Sequence, residues 1–540
     1  MTRADLRQLA WRYGPLVLCG AVLVWHSLRY DFVTDDAFIS FVYSRNLAEH
    51  GQLVFNPGMD PVEGYTNFLW TVLLGLFMLV GLQPEVTSLV LGTGFALATM
   101  VVVQRTAAHL WEGPTWWDQI APALLALSAG YACWSSGGLE TQMFTFWVAL
   151  AVHLYVVGDL EGRSLRRMGP VLALAAMTRP EGLMVAGVIG LHRALVKLAR
   201  SRKLGALRLT IDEVLALVYF VVLWAPWFAW RIWYYGYFFP NTYYVKASGA
   251  ATAAYHAEMH RLGLHYVWTF LRDSGLVYAA PLAVAGLLVA RPQSRRFLFG
   301  TLAAALFAAY LYYTVGVGGD FMGLHRFVMP LFPLGALAVV GGLRVLVGTL
   351  PRWREIAGPA LAAMLVAAFA MQQLRLTERS TRDHNWGSDQ GIDTPSYLKV
   401  YAHDRAVIGE HMQSCFRDDD FAIFGGAGAK PYYAEVRGID VYGLVSEEIG
   451  HQSPRTRARP GHNKWGADKI LLGYQPTFIF SCYSIAPDPK KPRWNCSPGP
   501  WIARGFEVVT LRIPGLVQQG EYYSFLARKD RHFDCAGRVR

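Results

Sequence analysis

The chain has 540 residues, of which 53% are hydrophobic and only 16% are charged, and its mean hydropathy is +0.25. Soluble domains typically carry about 25% charged residues, so this composition excludes an ordinary soluble protein and indicates a polytopic α-helical membrane protein with a more polar part attached. The formal net charge of +11 does not indicate nucleic-acid binding, because the basic residues fall where the positive-inside rule places them.

The first apolar stretch, residues 14–28, follows three arginines and is not followed by a small-residue cleavage site. It therefore predicts an uncleaved first helix that begins in the cytosol. Residues 31–85 are then an external loop. Within this loop, apolar residues at helical spacing over 38–47 predict an amphipathic helix on the membrane surface, and the short run 68–82 predicts an interfacial helix that does not cross.

Ten further apolar runs predict membrane crossings, which together with the first helix makes about eleven. Charge agrees with this count, because the basic clusters at 163–167, 197–208, 291–296 and 344–354 then all lie on the cytosolic side. The ten predicted crossings are 86–105, 119–134, 142–158, 169–177, 183–195, 214–233, 275–290, 297–315, 327–343 and 356–371.

Residues 374–540 differ from the rest in having alternating polar and apolar stretches with many Gly and Pro turns. Because the last predicted crossing ends outside, this part predicts an external C-terminal domain of mixed α/β type, with residues 1–373 forming the membrane domain. Four of the six cysteines fall in it, and an external location favours one or two disulfides among three possible pairings. These cysteines are Cys415, Cys482, Cys496 and Cys535.

Asp35 and Asp36 are adjacent carboxylates that follow the first apolar stretch, where a helix would leave the bilayer. Acids placed at a membrane face are costly, and two like charges this close raise one pKa. The pair suits a general base, the ligands of a divalent cation such as Mg²⁺ or Ca²⁺, or both. The alternative is that these acids only cap the start of an interfacial helix.

Other polar turns fall on the same predicted face. Glu140 follows a Ser-Ser-Gly-Gly turn, and the alternative to a functional role is an acid in the first turn of a helix. Arg179 lies in a Thr-Arg-Pro-Glu-Gly turn, where it could hold a phosphate bidentately or only pair with Glu181. Lys246 ends an aromatic segment and is the candidate there to face a phosphate.

Residues 316–326 combine a glycine-rich backbone with Asp320, His325 and Arg326, and form the richest cluster after the aspartate pair. The glycine-rich segment 425–430 fits neither common phosphate-binding fingerprint and is interpreted as a turn without a role.

A basic, histidine-containing loop follows in the C-terminal part. As a charge run it is more typical of a solvated face, but it could also cover an anionic group. Its candidate residues are Arg455, His462 and Lys464.

The sequence contains no Walker motif and no HExxH zinc motif. Because the outer face of a membrane lacks nucleotide sugars, a transferase there needs a lipid-carried donor. Three hypotheses follow: a glycosyltransferase, a flippase or transporter for lipid-linked sugars, and a non-catalytic glycan-binding assembly protein of the cell envelope. A transporter would carry charges at mid-membrane, whereas here they gather on one face, which disfavours it.

In type and order, these motifs resemble those of the GT-C integral-membrane glycosyltransferases, and more closely the terminal arabinofuranosyltransferases of mycobacteria and their bacterial relatives. The resemblance implies eleven crossings in the bacterial inner membrane and a periplasmic C-terminal domain that could bind carbohydrate. Residues 62–67 match the broader bacterial relatives, which leaves the sugar and the acceptor open. The motifs that carry the resemblance are Asp35-Asp36, 138–140, 179–181, 318–322 with Arg326, Asp440 with 443–445, and His451, Arg455, 461–462 and Lys464.

The resemblance also implies the reaction and the roles. A sugar, with arabinofuranose as the best match, would move from a polyprenyl-phosphate donor to a glycan, lipid or protein acceptor, and the apolar helices would hold the polyprenyl tail among membrane lipids. Asp35 is expected to be the catalytic acid or base, and Asp36 to orient the sugar or bind a cation. The residues expected to contact the donor phosphate or sugar are Glu140, Arg179, Lys246, Asp320, His325, Arg326, Arg455, His462 and Lys464.

Overall fold

The computed structural model shows a mostly helical membrane domain followed by a small domain built on a five-stranded sheet, as the sequence predicts. The residues that the structure describes are 3–161, 163–201, 204–246, 252–291, 294–350, 352, 354–383, 387, 389–453 and 461–539.

The α-helices described in the membrane domain are grouped in chain order, those before residue 205 first and those after it second. The first group is α1 (Arg3–Leu28), α2 (Asp35–His50), α3 (Phe68–Met78), α4 (Pro84–Leu110), α5 (Ile120–Leu127), α6 (Ala129–Ser136), α7 (Thr141–Glu161), α8 (Arg163–Thr178) and α9 (Glu181–Ser201). The second group is α10 (Ile211–Tyr235), α11 (Asn241–Lys246), α12 (Ala253–Asp273), α13 (Leu276–Leu288), α14 (Arg295–Val317), α15 (Leu331–Gly348) and α16 (Arg354–Arg382).

Seven helices in the described part of the chain are long and apolar enough to cross a membrane, namely α4, α7, α9, α10, α14, α15 and α16. An eighth span results if α12 and α13, which meet at an angle of 77°, are counted as one. The predicted count of eleven is therefore not confirmed. The predicted crossings 14–28, 119–134 and 169–177 correspond to α1, to α5 with α6, and to α8, which are not among these spans.

The predicted crossing 119–134 is interrupted at Ser128, whose extended backbone (φ −68°, ψ 123°) separates α5 from α6. Groups freed by a break inside a bundle must find other partners. The Ser128 side chain accepts a hydrogen bond from the Tyr131 amide, and the Gln373 Oε1 on α16 accepts one from the Ala129 amide at 2.9 Å. The break is thus stabilised by a contact from a distant helix.

The C-terminal domain is of mixed α/β type, as predicted. Its sheet has the strand order β2-β1-β3-β5-β4, with β1 parallel to β2 and β3, and β5 antiparallel to β3 and β4. Its elements are α17 (Pro395–Met412), β1 (Ala422–Phe424), α18 (Ala429–Ala434), β2 (Gly438–Asp440), α19 (Glu447–Gly450), α20 (Asp468–Gly473), β3 (Phe478–Ala486), α21 (Gly499–Ala503), β4 (Phe506–Arg512) and β5 (Tyr522–Arg528).

Two disulfides lie in this domain: Cys415 is joined to Cys535, 120 positions away, and Cys482 to Cys496, 14 positions away. This pairing is one of the three that the sequence leaves open. The loops that follow the parallel strands β1 and β2 leave the sheet at the same edge, because parallel strands end on the same side. That edge faces the membrane domain, and it places residues 425–428 beside the start of α2.

The helix α2 is more enclosed than an amphipathic helix on a membrane surface would be, and its position relative to the membrane stays a prediction. All residues from Ala37 to Ser44 are buried, because α2 packs between α3 and the helix α18 of the C-terminal domain. The Phe38 ring lies 5.4 Å from the rings of both Tyr432 and Tyr433. Apolar side chains occupy more than one face of α2, so it requires a partner on each side.

Candidate active site

A cavity of about 1200 Å³ lies between one end of the helical bundle and the C-terminal domain. Its walls are the turns that follow α6, α8 and α14, the first turn of α2, the end of α11, and the loops after β1 and β2. Eight of the eleven residues predicted for the site line this cavity. They are Asp35, Asp36, Glu140, Arg179, Lys246, Asp320, Arg326 and His462.

The other three predicted residues are placed differently. His325 lies behind the cavity wall, where its Nε2 is 3.0 Å from Asp273 Oδ2. Lys464 is 1% exposed and its Nζ donates to the carbonyl oxygen of Gln452. Arg455 lies outside the described residues.

Asp35 is held by the C-terminal domain. Its Oδ1 accepts a hydrogen bond from the Ala429 amide at 2.9 Å, and the backbone of Gly428 is so close that a Cβ there would overlap the carboxylate. Burial raises the pKa of Asp35 to about 6, although the Ala429 amide and the charges of Arg405 and Lys430 oppose the shift. A carboxylate with this pKa is ionised at neutral pH and basic enough to accept a proton from a hydroxyl.

Asp36 faces the membrane domain instead. Burial raises the pKa of Asp36, the cations Arg326 and Lys246 oppose that shift, and the nearby carboxylate of Asp320 adds to it. The two neighbouring acids therefore have different surroundings, because successive residues of a helix point about 100° apart. Asp35 lies toward the C-terminal domain and Asp36 toward the cations at the end of the bundle.

The cations beside Asp36 are positioned by the last residue of α11, Lys246, and by the turn after α14. Arg326 donates from Nε to Asp320 Oδ2 at 2.6 Å, and its guanidinium lies 5.7 Å from the centre of the Trp134 ring. The turn is tight because Gly319 has a φ of +77°, and a Cβ there would lie 2.6 Å from Tyr266. Lys246 is exposed at the cavity wall.

Arg179 makes the contact with Glu181 that the sequence leaves as an alternative, and a further one. Its Nη2 donates to Glu181 Oε1 at 2.8 Å, and its Nη1 donates to Glu140 Oε1 at 3.0 Å. Two buried carboxylates thus hold this guanidinium, so the arrangement favours a positioning role for Arg179. Asn67, which is not among the predicted site residues, donates from Nδ2 to Glu140 Oε2 at 2.8 Å.

Of the C-terminal wall of the cavity, His462 was predicted as a site residue, but the contact with Asp35 was not. The segment 425–430, interpreted from sequence as a turn without a role, is the one whose backbone contacts Asp35. The sequence feature that could have indicated this role is the run of glycines directly between a strand and a helix. Further residues of this wall include Tyr397, Tyr401, Arg405, Tyr483, Asn495, Gln518 and Gln519.

The predicted cation site has few ligands. Within the described ranges, no three or more His, Cys, Asp or Glu side chains are grouped as metal ligands would be. Asp35 and Asp36 supply two carboxylates. Binding of Mg²⁺ or Ca²⁺ there stays a prediction.

The fold has clear counterparts among solved structures. The structure of ArnT from Cupriavidus metallidurans bound to undecaprenyl phosphate superposes with a TM-score of 0.54 at 15% sequence identity, covering 96% of this chain and 98% of that one. The apo structure of the same protein also gives 0.54, at 13% identity and with 97% and 99% coverage. The chain therefore shares the fold of these ArnT structures over nearly its whole length, as its resemblance to GT-C proteins predicts.

A more specific similarity comes from sequence. Over 356 residues the chain is 26% identical to the terminal β-(1→2)-arabinofuranosyltransferase of Corynebacterium glutamicum, which covers 58% of this chain and 48% of the relative. The chain thus spans about half the length of the curated relative that it matches. No family model matches the chain.

Proposed function

We propose that this protein is a glycosyltransferase that moves a sugar, with arabinofuranose as the best match, from a polyprenyl-phosphate donor to a hydroxyl of a glycan, lipid or protein outside the cytoplasm. The observation that carries this proposal is the position of Asp35 and Asp36 in the cavity. One acid faces the cations at the end of the helical bundle, and the other faces the C-terminal domain.

The reaction divides between these two sides. Asp35 accepts the proton of the acceptor hydroxyl as its oxygen attacks the anomeric carbon. The bond between that carbon and the phosphate oxygen breaks, and polyprenyl phosphate leaves with the bonding electrons. Arg326 and Lys246 stabilise the negative charge that develops on the phosphate, and Asp36 orients the sugar.

The apolar part of the donor has a matching wall. Between α11 and α14 the cavity is lined by aromatic and aliphatic side chains that suit a polyprenyl chain and the surrounding lipid. These are Phe239, Tyr243, Tyr313, Val317 and Phe327.

The proposed orientation places the cavity and the C-terminal domain in the periplasm or at the cell exterior, with the helices in the bacterial inner membrane. The far end of the bundle carries cations such as Arg166, Arg193 and Arg200, as the positive-inside rule requires of the cytosolic end. The two disulfides of the C-terminal domain also suit an oxidising compartment.

The test compares two neighbouring acids in membranes supplied with a labelled polyprenyl-phosphoryl arabinofuranose. Asp35→Asn should reduce sugar transfer by a factor of about 10² to 10⁴, because it removes the base. Asp31→Asn is the matched control, since Asp31 is exposed and, among the described residues, its side chain pairs with Lys399 at 3.3 Å. Full activity of Asp35→Asn would contradict the proposal. Replacing the arabinofuranosyl donor by other lipid-linked sugars tests the choice of sugar.

A further inference from the structure

We propose that Arg405 and Tyr401 on α17 form an acceptor subsite, in which the Arg405 guanidinium binds an oxygen of an acceptor glycan next to the attacking hydroxyl. This inference rests on the proposed function. It assigns the acceptor to the side of the cavity that the donor does not occupy. It makes the C-terminal domain a part of the substrate-binding site.

The first observation is the incomplete hydrogen bonding of Arg405. The residue is 5% exposed and lines the cavity, and its Nη2 donates to the Tyr483 hydroxyl at 2.5 Å. Its Nη1 is buried and has no hydrogen-bond partner among the described residues. A guanidinium has five N–H donors, and buried polar groups almost always have partners. An oxygen of a bound substrate would complete this set.

The second observation is the position of Arg405 beside the proposed base. Its guanidinium lies over the Tyr401 ring at 4.1 Å from the ring centre. A Cβ added at Gly426 would be 3.9 Å from the Tyr401 hydroxyl and 3.8 Å from Asp35 Oδ2, so both groups flank the same glycine. A sugar oxygen held by Arg405 therefore lies near the carboxylate that takes the proton.

The chemistry of the surrounding wall identifies the ligand class. Aromatic rings with amide side chains suit the C–H faces and hydroxyls of a sugar, whereas a second lipid tail would require an apolar wall. The donor phosphate has its own cations, Arg326 and Lys246, on the side of Asp36. The groups on the Arg405 side include Tyr397, Tyr483, Asn495, Gln518, Gln519 and the exposed Arg493.

The experiment separates acceptor use from donor use in the purified full-length protein. Two rates are measured at about pH 8, where Asp35 is ionised in each variant. One is hydrolysis of polyprenyl-phosphoryl arabinofuranose without an acceptor, and the other is transfer to a synthetic octyl arabinofuranosyl disaccharide at varied concentration. The variants are Arg405→Met, Arg405→Lys, which keeps the charge, and the control Lys399→Met on the exposed side of α17.

We expect Arg405→Met to raise the KM for the disaccharide roughly tenfold to a hundredfold, the scale of a lost hydrogen bond to a charged group, while the KM for the donor stays within about twofold. Arg405→Lys should fall between the wild type and Arg405→Met, because an ammonium donates without the planar fork. Lys399→Met should match the wild type in both rates.

The possible failures are distinct. A parallel loss of hydrolysis and transfer in Arg405→Lys would mean that Arg405 acts on the donor or on the fold, and an unchanged acceptor KM would mean that it binds no acceptor. Wild-type protein that hydrolyses the donor but does not use the disaccharide would overturn a glycan subsite. Wild-type protein that consumes no donor would overturn the proposed function itself.

Discussion

Both ends of the helical bundle collect charged residues, but the two ends pair them differently. At the end away from the cavity, Arg193 donates to Asp159 at 2.5 Å and to Glu213 at 2.8 Å, and Lys197 donates to Glu213 at 2.7 Å. Each of these acids has two cationic partners. At the cavity end, Arg326 and Arg179 are also paired with carboxylates. Asp35, however, has no salt bridge among the described residues, and its Oδ1 accepts the backbone N–H of Ala429.

The difference separates charges that stabilise the fold from charges that remain available to a substrate. At the far end, the acids and cations neutralise one another in ion pairs that hold the helix ends together. At the cavity end, burial leaves Asp35 and Asp36 with raised pKa values and leaves Arg405 short of partners. Perturbed groups that meet in a cavity are the usual mark of a functional site. Four predictions test this comparison.

The largest expected effect comes from removing one cation at each end. Arg326→Met leaves the buried Asp320 without its cation and should lower the free energy of unfolding by about 3 to 5 kcal/mol. Arg193→Met should lower it less, because Asp159 keeps Arg200 and Glu213 keeps Lys197. Arg326→Met should also reduce donor turnover about 10² to 10³-fold, because its charge stabilises the leaving phosphate. Thermal unfolding in detergent and turnover per folded molecule measure the two effects. Equal losses of turnover at both ends would break the comparison.

A smaller loss is expected from Gly428→Ala. The added Cβ would overlap the Oδ2 and Cγ atoms of Asp35 and displace the carboxylate from the Ala429 amide. A displacement of about 1 Å can cost a factor of about 10² in rate. Gly499→Ala is the control, since no heavy atom lies within 4 Å of its Cβ position. Turnover that changes equally in both variants would contradict the proposed contact with Asp35.

Asn67→Ala should have a still smaller effect, roughly tenfold on turnover. The substitution removes the 2.8 Å bond to Glu140, so that among the described side chains only Arg179 still bonds that carboxylate, and it also removes the bonds of Asn67 with Ser40 and Thr71. Asn56→Ala serves for comparison, because the Asn56 side chain bonds the backbone of Gly438 within the described part of the chain, so its loss should affect stability rather than turnover. Steady-state kinetics with the labelled donor distinguish these outcomes.

The smallest effect concerns pH. Since the pKa of Asp35 is about 6 and the base must be ionised, kcat/KM should rise about tenfold per pH unit below that value and level off above it. The positive charge of Arg405 favours the ionised form, so Arg405→Met should move the midpoint upward, by less than about one unit. A flat profile through pH 6 would show that Asp35 is not the titrating base.

Much of the membrane domain could be predicted from sequence, because a membrane selects for long apolar helices and their ends can be read directly. The same property explains the errors. α12 was missed because His256, Glu258, His260 and Arg261 interrupt its apolar pattern, and the break at Ser128 was missed because the residues around it are uniformly apolar. Burial of α2 depended on a partner, α18, that lies far along the chain.

By itself, the sequence determined which turns carry charge and that these turns share one end of the bundle, since hydrophobicity and the positive-inside rule are local properties of the chain. Only the tertiary structure decided which groups meet there. The bond from Ala429 to Asp35 joins residues 394 positions apart, and the position of Arg405 beside Tyr401 and Gly426 depends on how the sheet docks on the helices. No sequence period encodes such contacts, because packing between distant elements sets them.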